Sequence, residues 1–107
     1  MIKSPQKNSL TDYREKIDEI DSKIIQLLAT RFDLIKEIAQ YKKKHKLKLI
    51  QKQREKNMLK KLTTKAKSKS LKKEFVSDIF NIIFKESKNY QKKVITELDT
   101  FDKKAKN

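Results

Sequence analysis

From Leu10 to Ile38 apolar residues recur every three or four positions, and no Gly or Pro interrupts them. Leu10, Tyr13, Ile17, Ile20, Ile24, Leu27 with Leu28, Leu34 with Ile35, and Ile38 form one stripe at helical period. Ser9 is placed to cap this run, and Asp12 and Glu15 suit the positive end of a helix. The pattern predicts a single amphipathic helix from about residue 9 to about residue 45. At a rise of 1.5 Å per residue it extends roughly 50 Å. A chain of 107 residues is too small to cover that stripe by folding on itself. The stripe therefore requires a partner chain.

Glycine is absent from the whole sequence, as are Cys and Trp, and Pro5 is the one proline. Without glycine there is no easy residue for positive-φ turns, phosphate-cradling loops or dinucleotide fingerprints, and β-hairpin folds are disfavoured. Without cysteine there is no disulfide framework and no thiolate metal site, and His45 alone cannot build a zinc centre. No metal or cofactor is expected. No apolar run approaches membrane-spanning length, and Met1 to Leu10 lacks the apolar core of a signal peptide. These features predict an all-α protein in the cytoplasm. Residues 1–8 read as a loose polar leader, 9–100 as one helical domain, and 101–107 as a frayed tail.

The lysine-rich stretch Lys42–Leu49 reads as a connection after the first helix. A second helix is expected over roughly Gln51 to Ala66, with Met58, Leu59 and Leu62 on its apolar side, and Thr63–Lys69 is weak. Ser70 is a candidate cap for a third helix, with Glu74 in its first turn. Its stripe is Phe75 and Val76, Ile79 and Phe80, Ile83 and Phe84, Val94 and Ile95, and Leu98. The expectation is three helices, the first very long.

The net charge of +15 invites a nucleic-acid reading, but the basic residues are 26 lysines and only three arginines, Arg14, Arg31 and Arg54. Specific readers of bases and phosphates lean on the arginine fork. Lysine at nearly every surface position reads as a solvated basic surface, and a nucleic-acid partner is disfavoured.

More telling are polar residues at positions where the stripes call for apolar ones. Arg31 lies four after Leu27 and four before Ile35, and Lys42 lies four after Ile38. Eleven residues apart, the two fall within ~20° of one helix face. Glu55 stands four before Leu59, with Arg54 beside it. Ser87 lies four after Ile83, and Gln91 four after Ser87. A buried charge without a partner costs several kcal/mol, so these groups form either a structural network or a pocket for an anionic small molecule. The cations outnumber the one carboxylate, which suits a dianion. Arginine in a chain that otherwise uses lysine marks positions that need bidentate carboxylate recognition. Arg14 is turned roughly 100° from Arg31 and lies about 42 Å along the helix from Lys42, so only a second chain could bring it to the same site.

The strings Tyr13-Arg14-Glu15-Lys16-Ile17-Asp18, Leu27-Leu28-Ala29-Thr30-Arg31-Phe32 and Ile38-Ala39-Gln40-Tyr41-Lys42 resemble the all-helical class of chorismate mutase. So do Arg54-Glu55 and Ile83-Phe84-Lys85-Glu86-Ser87 followed by Gln91, ungapped from about Leu10 to Gln91. The resemblance implies an intertwined homodimer with antiparallel first helices and two shared sites. It implies cofactor-free rearrangement of the dicarboxylate chorismate to prephenate, within aromatic amino-acid biosynthesis. Arg14 of the partner subunit, Arg31 and Arg54 would then hold carboxylates, assisted by Ser87. Lys42 and Gln91 would donate to the ether oxygen, and Glu55 would accept from the ring hydroxyl. Gln51 stands where the family often carries Asp, so an amide that can still accept a hydrogen bond replaces a charge. An isochorismate pyruvate lyase of the same fold is the nearest alternative, and Arg54-Glu55 favours the mutase. A basic helical nucleic-acid-binding dimer is the alternative from another class.

Overall fold

The computed structural model describes residues 9–106, so the expected leader over 1–8 lies outside the described residues. Three helices follow one another: α1 (Leu10–Lys44), α2 (Lys52–Ser68) and α3 (Lys73–Lys106). No strand occurs among the described residues. Ser9 caps α1 as its position predicts, its Oγ accepting the amide of Asp12 at 3.1 Å. The chain divides into two units, one through Asp33 and one from Leu34 onward.

The first unit contributes the N-terminal part of α1. Its apolar stripe lies open, with Leu10, Tyr13, Ile17, Ile20, Ile24 and Leu27 all about half exposed or more. A lone helix can shield a side chain only with its own turns, so the stripe stays wet. Arg14 is exposed and Arg31 half-buried.

The second unit holds the core. Here α2 packs against α3, and the buried apolar side chains are Ile35 and Ala39 of α1, Ala66 of α2, and Val76, Phe84 and Val94 of α3. Phe80 and Phe84, one turn apart, meet with tilted rings 6.0 Å between centroids. Burying a side chain such as Phe84 is worth about 1.5–3 kcal/mol.

The helix ends differ from expectation in three places. Ser70 does not cap α3. It sits at φ 60 just past the end of α2, where the amide of Ser70 bonds the Lys67 carbonyl and that of Leu71 bonds Ala66. This closed pair is the C-terminal motif that normally takes glycine. Lys46, at φ 55, ends α1 in the same way, its amide on the Lys43 carbonyl and that of Leu47 on Lys42. α1 therefore ends at Lys44, in keeping with the helix expected to about residue 45, and the connection starts at His45, after the lysines first read as part of it. The weak stretch Thr63–Ser68 stays helical too, with Thr63, Thr64 and Ser68 hydroxyls donating back to carbonyls one turn earlier.

The third difference is at the C-terminal end, where α3 continues past Thr100 to Lys106. Lys43 donates to Asp99 Oδ1 at 2.5 Å and to Asp102 Oδ2 at 3.0 Å, tying the last turn of α1 to this stretch. These bonds hold the Lys43 ammonium above the usual lysine pKa, Asp99 first and Asp102 second.

Candidate functional site

Within the second unit, two residues far apart in sequence meet. Lys42, in the last turn of α1, follows the buried Ala39 by three positions and so points toward α3. Its Nζ donates to Gln91 Oε1 at 3.0 Å and to the Leu49 carbonyl at 2.6 Å. Gln91 is buried on α3, and Ser87, one turn earlier, is buried with it. Ser87 Oγ donates to the Ile83 carbonyl at 2.7 Å. Because Lys42 holds the oxygen of the Gln91 amide, the NH₂ of that amide is turned away from the ammonium and is free to donate elsewhere. Partial burial pushes the Lys42 pKa below the usual lysine value.

A second cluster lies between α2 and α3. Glu55, in the first turn of α2, receives Lys88 of α3 on both oxygens at 3.3 Å. The pair borders a hollow of about 270 Å³ lined also by Lys52, Lys56, Leu59, Asn81 and Phe84. Sequence spacing places Glu55 inward but does not single out Lys88. That lysine lies one turn after the buried Phe84, at the same four-residue step that marks Ser87, but one lysine among 26 does not stand out.

The other expected site residues are placed differently. Gln51 is exposed at the N-cap of α2, where its carbonyl accepts the amides of Arg54 and Glu55 and its side chain makes no capping bond. Arg54 points to the outer face of α2, lining a separate hollow with Asn57, Lys60, Lys61 and Thr64. Arg14 and Arg31 belong to the first unit. The second unit thus presents an ammonium and an amide side by side, a neutralised carboxylate, and a surplus of cations. Such a set has the chemistry to bind and polarise an anion without a nucleophile. No group of three or more His, Asp or Glu suited to a metal ion occurs among the described residues, and no described helix is long and apolar enough to cross a membrane.

The sequence matches the family model for chorismate mutase type II over residues 13–92. It is 38% identical over 99 residues to the bifunctional chorismate mutase/prephenate dehydratase of Buchnera aphidicola subsp. Acyrthosiphon pisum, covering 92% of this chain and 26% of that protein. A second Buchnera aphidicola protein of that description, from subsp. Schizaphis graminum, is 38% identical over 93 residues, covering 87% of this chain and 24% of its own length. The chorismate mutase of Methanocaldococcus jannaschii is 32% identical over 95 residues, covering 89% of this chain and 96% of that protein. The chain spans about a quarter of the Buchnera relatives.

Proposed function

The chain belongs to the type II chorismate mutase family, and from that premise we propose that it rearranges chorismate to prephenate as a cytoplasmic homodimer. The observation that carries this reading is the meeting of Lys42 with Gln91 at 3.0 Å. The rearrangement is unimolecular and pericyclic. It breaks one C–O bond and forms one C–C bond, with no nucleophile, metal or redox step. The protein has to hold the compact chair-like conformer and stabilise charge separating across the breaking ether. The Lys42 ammonium and the Gln91 NH₂ supply two donors for the oxygen as it becomes negative. Losing one such donor typically lowers turnover about 10²–10³-fold. Glu55 accepts from the ring hydroxyl and favours the positive character that develops on the ring, while Lys88 keeps its carboxylate oriented. Arg31 and Arg54 hold substrate carboxylates with help from Ser87, Arg54 swinging its long exposed side chain inward. Gln51 accepts a hydrogen bond beside them.

Arg14 enters this site from a second copy. The half-exposed stripe of Leu10, Ile17, Ile20 and Ile24 supports the dimer, since an open apolar face of this length favours association. The test follows the loss of chorismate absorbance on adding the protein, with isochorismate in a parallel reaction. Conversion of chorismate without release of pyruvate is the expected result. Pyruvate released from isochorismate, with chorismate untouched, overturns the reading in favour of the lyase.

A further inference from the structure

The positive charge of this protein is concentrated in one segment. Between Lys42 and Lys73 stand fifteen of the 29 basic residues and a single acid, Glu55. The other 75 residues carry fourteen basic and thirteen acidic side chains, which almost cancel. A surface that was merely lysine-rich would spread its excess along the chain. Here the excess runs through the last turn of α1, both connections and α2. The one acid in the segment is already paired with Lys88.

On α2 the cations are ordered. At 100° per residue, Lys52, Lys56, Lys60 and Lys67 form one row, and Arg54, Lys61 and Lys65 another. Between them runs an uncharged strip of Gln53, Asn57, Thr64 and Ser68, and every one of these residues is exposed. A hollow of about 540 Å³ bridges the rows at Arg54, Lys60 and Lys61. The first row leads into the Glu55 hollow, which Lys52 and Lys56 line. Lysine is suited to this arrangement, because a mobile point charge attracts anions without fixing their orientation.

We propose that residues 42–73 form an electrostatic collector that draws the dianionic substrate toward the site by long-range attraction. The inference rests on the functional reading above, since it takes that site's dicarboxylate as the ligand. Fields of this kind raise capture of a charged ligand by about 10–10³-fold and fade as salt shortens the Debye length to about 10 Å at 0.1 M. Substrate and transition state carry the same net charge, so a distant cation attracts both equally. It lowers KM and leaves kcat unchanged.

The test replaces four exposed residues outside the site in one variant, Lys60→Gln, Lys61→Gln, Lys65→Gln and Lys67→Gln. A second variant carries Arg at the same four positions. Turnover of chorismate is measured from about 20 mM to about 500 mM ionic strength. At low salt the Gln variant should show kcat/KM reduced about threefold or more, through KM alone. The gap should close at high salt, and the Arg variant should follow wild type. A gap below about 1.5-fold at low salt, or one that persists at high salt, overturns the proposal. So does loss of duplex DNA binding by the Gln variant at unchanged kcat/KM, which assigns the segment to a polyanion instead. Wild-type protein that converts no chorismate overturns the functional reading and this inference with it, whereas wild-type turnover without the gap overturns the inference alone.

Discussion

Lys42 and Gln91 stand 49 positions apart in the chain and 3.0 Å apart in the fold, with the ammonium donating to the amide oxygen. The contact fixes which way the amide faces, with its NH₂ turned away from the ammonium. It also gives the pair one titrating member. Gln91 does not ionise, and Lys42 loses its proton below the usual lysine range because burial disfavours its charge.

The pH profile follows from that pair. Activity should be nearly flat between about pH 6 and 8, and should fall as pH rises through the lowered Lys42 pKa, where the ammonium donor is lost. Gln91→Glu must be protonated to donate, so its optimum should move to acid. Initial rates across pH for both proteins check this, and a strong acid optimum in the wild type contradicts Gln91 as donor.

Arg31→Lys keeps the charge and removes the planar fork. We expect kcat/KM to fall at least tenfold, about 1.4 kcal/mol or more of transition-state stabilisation. Circular dichroism should be unchanged. Near-normal turnover would sink the bidentate role.

Subunit mixing tests whether Arg14 acts across an interface. Arg14→Ala and Lys42→Ala should each be nearly inactive alone. Refolded together in equal amounts, about half the dimers are mixed, and each mixed dimer holds one site free of both lesions. Activity should recover to roughly a quarter of wild type. Recovery no higher than the single variants, with exchange verified by mass, removes Arg14 from the shared site.

The two positive-φ residues offer a stability test independent of function. Lys46 and Ser70 hold left-handed conformations that disfavour a side chain by about 1–2 kcal/mol. Lys46→Gly and Ser70→Gly should each raise stability, by a net ~0.5–1 kcal/mol after the added freedom of the unfolded chain is subtracted. Urea midpoints measure it. A lowered midpoint in both would mean that the left-handed geometry is not strained.

Lys43 tests what holds the end of α3. Lys43→Met removes the bonds to Asp99 and Asp102, so amide exchange over residues 99–105 should quicken. In the wild type, the raised Lys43 pKa means that this contribution is present below the ordinary lysine pKa and is lost as pH rises through the raised one. Added salt should weaken it as well. Unchanged exchange in the variant would show that α3 persists to Lys106 without the clasp.

What the sequence by itself determined are the features set by near neighbours. Helical period, the Ser9 cap and the lack of helix breakers specify three helices, because each depends on residues within one or two turns. Lys42, Glu55, Ser87 and Gln91 were legible because each interrupts an apolar stripe, where burial makes a polar group conspicuous. Lys88 was not, since one more lysine among 26 carries little information even one turn after Phe84. The tertiary structure decided the rest. Which carboxylate meets which lysine depends on how the helices pack, since Glu55–Lys88 joins α2 to α3 across 33 positions and Lys43–Asp99 joins the last turn of α1 to α3 across 56. Where the helices stop was also decided there. Ser70 is a good cap for the helix that follows it, yet it closes the one before, because in a chain without glycine some side chain has to take the left-handed turn that lets α3 fold back on α2.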